Sequence, residues 1–358
     1  MHNNKKSKQK VVFVIGSMRR GGAERVISLL ANNYAKRGWG VDILTLLDDS
    51  NDYELNNKIN VKPICNMSKS KLRQLPKWIF DIRKHIDENE PDVIVSFIAR
   101  INIITLLACI GLKKNIVVSE RSDPAADGRS IFVRLATHLL YPLANFVVFQ
   151  TEWAKSNFSN KIQKKSIIIN NPVHIRVKAS EIRRKKIVAV GRLMKEKNHT
   201  MLIRAFKEIN SKFPDYNLYI YGEGSERENL ENLIHELKLS HSVFLPGNVI
   251  DVHEKIADAE IFILPSNYEG MSNALLEAMM MGIPCISTDC AGSNEVIKSD
   301  YNGVLIERGN EQELVMKISE LIINKEKRLL LGRNGQVSVQ EMKESKVVSI
   351  WEKYLEMN

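Results

Sequence analysis

Short runs of β-branched residues alternate along the chain with longer segments whose apolar positions recur every three or four residues. KVVFVIG is followed by AERVISLLANNYAKRG, which has helical spacing, and VDILTLL then returns to a strand pattern. PDVIVSF, NIVVSE, NFVVFQ and SIIIN repeat the theme, each separated by a helix-length stretch. After NNPV the rhythm restarts with KKIVAVGR, a helix over about 198–212, NLYIYGEG and a helix over about 225–238. SVFLPG, AEIFILPS, a helix over about 272–281, IPCIST and YNGVLI complete the second set. Nearly continuous apolar strands alternating with helices predict parallel sheets covered on both faces. The expected fold class is α/β, two tandem Rossmann-like, doubly wound parallel-sheet domains at residues 1–172 and 173–342. The charged stretch HIRVKASEIRRKK is the linker candidate between them. The final segment, 343–358, places Val347, Ile350, Trp351 and Leu355 at helical spacing and should dock by that face, packing back onto the first domain.

A chain of 358 residues suits two domains, and 44% apolar with 26% charged residues supplies large cores. The four cysteines show no CxxC spacing, which predicts buried thiols in a reducing compartment. Val11–Ile15 is too short an apolar run for a signal-peptide core, and INIITLLACIGL falls well short of the roughly 20 residues a spanning helix needs. The expected location is cytosolic. Charge changes the picture more: of a net +10, residues 1–172 hold 27 Lys/Arg against 15 Asp/Glu, whereas residues 173–358 hold 25 against 27. The excess therefore belongs to the first half, which should meet an anionic partner: nucleic acid, anionic lipid or a phosphorylated acceptor. No recognised nucleic-acid motif accompanies it, and aromatic content is 7%.

Ligands of doubly wound sheets bind outside the carboxyl ends of the strands, so the loops after strands carry the candidate chemistry. In GSMRRGGAERV, Gly21 and Gly22 allow close backbone approach at a helix start that favours an anion; the spacing is not GxGxxG. In VGRLMKEKNH, Arg192 and Lys197 lie on one strand-to-helix loop, where both can converge on a diphosphate; the ordinary alternative is a solvated basic loop. YGEGSERENL and LPGNV are weaker glycine turns. YEGMSNALLEAMMMGIP carries Glu269 before a helix and Glu277 within it, with Ser272 or Asn273 as the cap. Eight helical residues span about 12 Å. Two carboxylates spaced along one element suit two parts of a long ligand better than opposite sides of one glycosidic bond. The helix start between them can receive phosphate. Neither HExxH nor an Asp-x-Asp pair is present, so no metal site is expected and phosphate charge falls to Arg192, Lys197 and helix dipoles.

With these residues together, the chain resembles the family 4 glycosyltransferases of the GT-B fold, in which two Rossmann-like domains face a central cleft. GGAERV, GRLMKEK and EGMSNALLEAMMMGIPCIST carry the resemblance over nearly the whole length. It implies a retaining transfer of a hexose or N-acetylhexosamine from a nucleotide-sugar, commonly UDP-linked, without metal or other cofactor. The second domain would hold the donor and the first the acceptor. Glu269 would face the donor sugar and Glu277 the ribose, with Gly270, Met271, Ser272 and Asn273 offering contacts to sugar and diphosphate. Arg192 and Lys197 would stabilise charge on the leaving phosphate, with Gly21 and Gly22 across the cleft. Many members carry a histidine after a first-domain strand; here VVSERSDP puts Arg121 there, beside Glu120. Arginine is no base at neutral pH, so Arg121 is expected to bind donor phosphate or an acceptor diphosphate.

GGAERV and SERSDP also resemble parts of enzymes that extend lipid-linked bacterial glycans, which implies a polyprenyl-diphosphate-linked acceptor in capsule, O-antigen or related synthesis. The helix MSKSKLRQLPKWIFDIRKH, with Lys69, Lys71, Arg73, Lys77, Arg83 and Lys84 beside Leu72, Leu75, Trp78, Ile79 and Ile82, is a candidate anchor to the anionic cytoplasmic face of the inner membrane. An ordinary helix packed on the sheet is its competitor. The rival functions are a GT-B-like sugar-nucleotide epimerase and a basic nucleic-acid-binding protein; nucleic acid is not the expected partner.

Overall fold

Seven strands build the first sheet: β1 (Lys10–Ile15), β2 (Gly40–Thr45), β3 (Ile59–Pro63), β4 (Val93–Phe97), β5 (Asn115–Ser119), β6 (Phe146–Phe149) and β7 (Ser166–Ile168). Six build the second: β8 (Arg184–Val190), β9 (Asn217–Tyr221), β10 (Val243–Gly247), β11 (Ala259–Leu264), β12 (Cys285–Thr288) and β13 (Val304–Ile306). Every strand pairing is parallel, with orders β3-β2-β1-β4-β5-β6-β7 and β10-β9-β8-β11-β12-β13. Both orders run outward from a central first strand and reverse between it and the fourth, the doubly wound arrangement. The computed structural model describes residues 9–64, 71–175, 177, 180 and 182–356. The chain divides into unit 1, Met1–Pro172 with Glu344–Asn358, and unit 2, Val173–Lys343.

Helices of unit 1 are α1 (Gly22–Lys36), α2 (Lys71–Asn89), α3 (Ala99–Ala108), α4 (Ile131–Leu140), α5 (Glu152–Ser156) and α6 (Asn160–Gln163). Unit 2 contributes α7 (His199–Lys212), α8 (Arg227–Glu236), α9 (Val252–Ile256), α10 (Asn273–Met280), α11 (Ala291–Asn294), α12 (Glu311–Ile323) and α13 (Lys325–Ser338). The chain then returns to unit 1 as α14 (Glu344–Glu356).

Strand periodicity decides which side chains meet which layer. Val11, Phe13 and Ile15 of β1 join the core shared with α1 and α14, while Val12 and Val14 join the opposite core with α2 and α3. Ile187 and Ala189 of β8 pack beneath α7 and α12, and Val188 packs on the side of α10. Both faces are thus covered, as the continuous apolar runs predict. On α14 the buried face is Val347, Val348, Trp351 and Leu355; Ile350 is 39% exposed, so Val348 takes its expected place. At about 100° per residue, positions 347, 348, 351 and 355 share one arc and 350 falls outside it.

The interfacial-anchor reading of α2 is corrected. Trp78 is 4% exposed, and with Ile82 and Ile86 it packs against Val12, Leu44 and Ile94. The apolar face is spent on the core, not left for lipid. Arg83 donates through Nη1 to the carbonyls of Ala108 (3.1 Å) and Ile110 (2.8 Å), closing the end of α3. Lys77 pairs with Asp81, and Lys84 with Glu88. Lys69 lies outside the described residues, as do the side chains of Lys71, Leu72 and Arg73. Cys109, Cys285 and Cys290 are free and buried; Cys65 lies outside the described residues. No helix among the described residues is long and apolar enough to cross a membrane.

Candidate functional site

In unit 2 the loop after β8 and the loop after β11 are laced together at the carboxyl edge of the sheet. After β8 the chain makes a 3-10 turn, Lys195–Lys197, and Asn198 adopts a left-handed conformation (φ 48°) before α7 starts. The Asn267 backbone N–H donates to the Glu196 carbonyl (2.8 Å), its side chain donates to the Lys195 carbonyl (3.2 Å), and Asn198 donates to the Asn267 side chain (3.1 Å). Those bonds carry Lys197 onto Glu269, whose carboxylate receives the Lys197 ammonium and, at 3.1 Å, the Ser266 hydroxyl. Lys197 and Glu269 keep 16% and 12% of their side-chain surface open. A pair this enclosed feels weak solvent screening.

Arg192, on the same loop, is 65% exposed at its side chain and pairs with Glu196 at 3.2 Å, not with Glu269. His199 is buried beneath the loop; burial, then the neighbouring Lys197 charge, push its pKa down to about 4. It is therefore a neutral support next to the cation.

Glu277 lies on α10 at 4% exposure, and the Nε2 of His253 sits 3.0 Å from its carboxylate. The helix begins at Ser272, whose hydroxyl accepts from the Leu275 N–H (3.3 Å). Of the two candidate caps, the structure selects Ser272; Asn273 is the first helical residue. Met271 is 7% exposed and joins the core below. Gly270 is pressed by α11: a Cβ on Gly292 would collide with its carbonyl. The two glutamates therefore take separate partners on one strand–loop–helix element.

The YGEG turn acts as scaffold. A Cβ on Gly222 would strike the Gly191 carbonyl and one on Gly224 the Leu193 carbonyl, so both glycines let the β9 turn pack under the Arg192–Lys197 loop. Gly222 also has φ +145°, a second reason for glycine there.

In unit 1, Gly21 occupies the N-cap of α1 and exchanges two hydrogen bonds with the Tyr53 hydroxyl, donating at 3.0 Å and accepting at 2.7 Å. Gly22 opens the helix. Arg121, just past β5, lies over the rings of Phe97 (4.5 Å) and Trp351 (5.7 Å) and donates through Nη1 to Asn171 (2.9 Å). Its Nε and Nη2 are shielded, and burial pulls its pKa down to about 9, Glu120 partly offsetting the effect. Glu120 is no free base. Arg129 grips both of its oxygens at 3.1 Å, and Tyr141 donates to it at 3.0 Å.

Tyr141, Tyr53 and His253 escaped the sequence reading because each pairs with a residue far along the chain, and Arg129 because its grip on Glu120 and Asp127 follows no motif. Ser266 and Asn267 were within reach, since they stand immediately before the Glu269 loop. Among the described residues no three His, Cys, Asp or Glu side chains gather as they would around a metal ion.

Comparison with known proteins shows the family and the fold. Residues 172–338 match the family described as Glycosyl transferases group 1, and residues 20–177 match Glycosyltransferase Family 4. The chain is 30% identical, over 88% of its length and 90% of the relative's, to the Campylobacter jejuni N-acetylgalactosamine-N,N'-diacetylbacillosaminyl-diphospho-undecaprenol 4-alpha-N-acetylgalactosaminyltransferase. A second C. jejuni relative is 27% identical over 97% of this chain and 98% of its own; it is a GalNAc-alpha-(1->4)-GalNAc-alpha-(1->3)-diNAcBac-PP-undecaprenol alpha-1,4-N-acetyl-D-galactosaminyltransferase. Among solved structures, Anabaena HepE in complex with UDP and glucose superposes with a TM-score of 0.86 at 19% identity, covering 98% of this chain and all of HepE.

Proposed function

The chain belongs to the family 4 glycosyltransferases, and from that premise we propose that it is a retaining, metal-independent enzyme that moves a hexose or N-acetylhexosamine from a UDP-sugar to a glycan on polyprenyl diphosphate. One observation carries the reading most: Lys197 and Glu269 come from different loops and meet at the carboxyl edge of the unit 2 sheet, with the capped start of α10 immediately beyond. The relatives named above support the acceptor class, and the UDP complex of HepE supports the nucleotide.

In this reading unit 2 binds the donor and unit 1 the acceptor. Glu269 accepts hydrogen bonds from sugar hydroxyls, and Glu277 from the ribose. Gly270, Met271, Ser272 and Asn273 lead the diphosphate to the start of α10. Lys197 and Arg192 meet the negative charge that grows on the leaving phosphate, an electrostatic role suited to a preorganised and partly buried cation. The bond from the anomeric carbon to the phosphate oxygen breaks as the acceptor oxygen adds on the same face. The acceptor proton passes to the departing phosphate. Gly21 and Gly22, at the start of α1 in unit 1, are assigned to donor phosphate. Arg121 contributes its charge rather than a contact, since Nη1 is taken by Asn171 and its other nitrogens are shielded. The enzyme works from the cytoplasmic face of an anionic inner membrane, in assembly of a capsule, O-antigen or related glycan.

The test is a panel of UDP- and GDP-sugars offered with polyprenyl-diphosphate-linked acceptors, with and without chelator, and mass readout of products. One added sugar from a UDP donor, undiminished by chelator and with the anomeric configuration kept, is expected. Donor turnover without acceptor, or inversion, would overturn the reading.

A further inference from the structure

Helix α4 is clothed in apolar side chains on two sides, and only one of them is used. Thr137 is buried, and Val133, Ala136 and Leu140 are half-buried towards the rest of unit 1. Ile131, Phe132, Leu135 and Leu139 stand 59%, 79%, 60% and 76% exposed. At about 100° per residue these four fall within one 100° arc, opposite the packed face. Leu143, on the 3-10 turn that follows, is 53% exposed and extends the stripe. A contiguous apolar stripe of this kind marks a binding surface rather than chance exposure.

Its surroundings identify the occupant. Arg134 flanks the stripe on α4 itself and is exposed. The Lys165 ammonium donates to the Pro142 carbonyl (2.7 Å), placing it on the 141–143 turn, and Lys161 is close enough to act on its charge. Lys164 is exposed on the same short stretch. None of these four cations has an acidic partner among the described residues, and the nearby Glu152 is paired with Lys155 at 3.4 Å. An aliphatic and aromatic centre with an unneutralised basic fringe matches a bilayer's acyl boundary and anionic headgroups; a buried protein interface would be poor in lysine.

We propose that α4 and the 141–143 turn form the membrane-inserting face of this protein, docking on anionic phospholipid through Phe132, Leu135, Leu139 and Leu143. For its purpose the inference rests on the lipid-linked acceptor argued above, although its geometry does not. It also moves the membrane contact from α2, whose apolar face is buried, to a helix that keeps one free.

The full-length protein is sedimented with phosphatidylcholine vesicles, with and without phosphatidylglycerol, alongside a Phe132→Ser/Leu139→Ser variant. Binding should require phosphatidylglycerol, weaken with salt, and fall about tenfold or more in the variant. The variant's circular dichroism and its transfer to a detergent-dispersed acceptor should be unchanged, because the two side chains touch solvent and not the core. Equal vesicle binding by both proteins overturns the inference, as does no binding by the parent at low salt. A parent that light scattering shows to be a dimer, with the variant a monomer, assigns the stripe to a second copy and also overturns it. Normal vesicle binding with no transfer to any lipid-linked acceptor would sink the proposed function and leave this surface standing.

Discussion

Lys197 and Glu277 carry different burdens. Lys197→Ala removes a partly buried cation and should lower kcat/KM by about 10²–10³, the usual loss when one preorganised donor is deleted. Glu277→Gln keeps a hydrogen-bonding partner for His253 and so should keep the fold, while weakening UDP binding measured by calorimetry. Parent-like kinetics in the first, or parent-like UDP affinity in the second, contradicts the site. His199 supplies a pH prediction. Its folded pKa is near 4 against an ordinary 6.5, so between those values the unfolded chain binds more protons. The contribution is complete above pH 6.5 and lost as pH falls towards 4. At pH 5 the loss is about 2 kcal/mol. Urea melts at pH 7 and pH 5 should show that extra loss in the parent and not in His199→Gln; parallel losses would refute it. At this scale the sequence revealed charged side chains next to strand ends. It hid partners such as His253, 24 residues from Glu277, because nothing local ties them together.

Elements were more legible than their contacts. Strands such as VVFVI and IFIL are buried on both faces, so their composition is nearly pure apolar and stands out. β3 escaped because it is an edge strand: INVKP has no fully buried residue. α2 shows the opposite failure, since its amphipathic pattern is the same whether the apolar face meets a sheet or a membrane. The β9 turn was legible as glycine-rich but not as scaffold, because the need for glycine comes from another loop's backbone. Gly222→Ala should therefore cost about 1–3 kcal/mol of unit 2 stability through forced overpacking, with a loss of activity as the Arg192–Lys197 loop is displaced. Thermal unfolding and a donor-binding assay check both, and an unchanged melting point would refute the contact.

Each unit is a complete doubly wound layer structure, yet unit 1 owns a helix from the far end of the chain. Trp351 is wholly buried against Phe97, with ring centroids 5.9 Å apart, and Arg121 lies over both rings. Trp351→Ala should cost about 3–5 kcal/mol, borne by unit 1. All four tryptophans, 39, 78, 153 and 351, belong to unit 1, so tryptophan emission follows that unit alone, whereas circular dichroism follows both. The variant should shift the emission midpoint to lower urea; an unchanged midpoint would contradict the packing of Trp351 on Phe97. The position of α14 also sets an order on synthesis. When the ribosome has made the strands of unit 1, the helix that covers Phe97 has yet to be translated. All of Val173–Lys343 must emerge first, a delay on the order of 10–30 s at common elongation rates. During that interval the nascent first half shows a bare aromatic surface, a natural foothold for a chaperone.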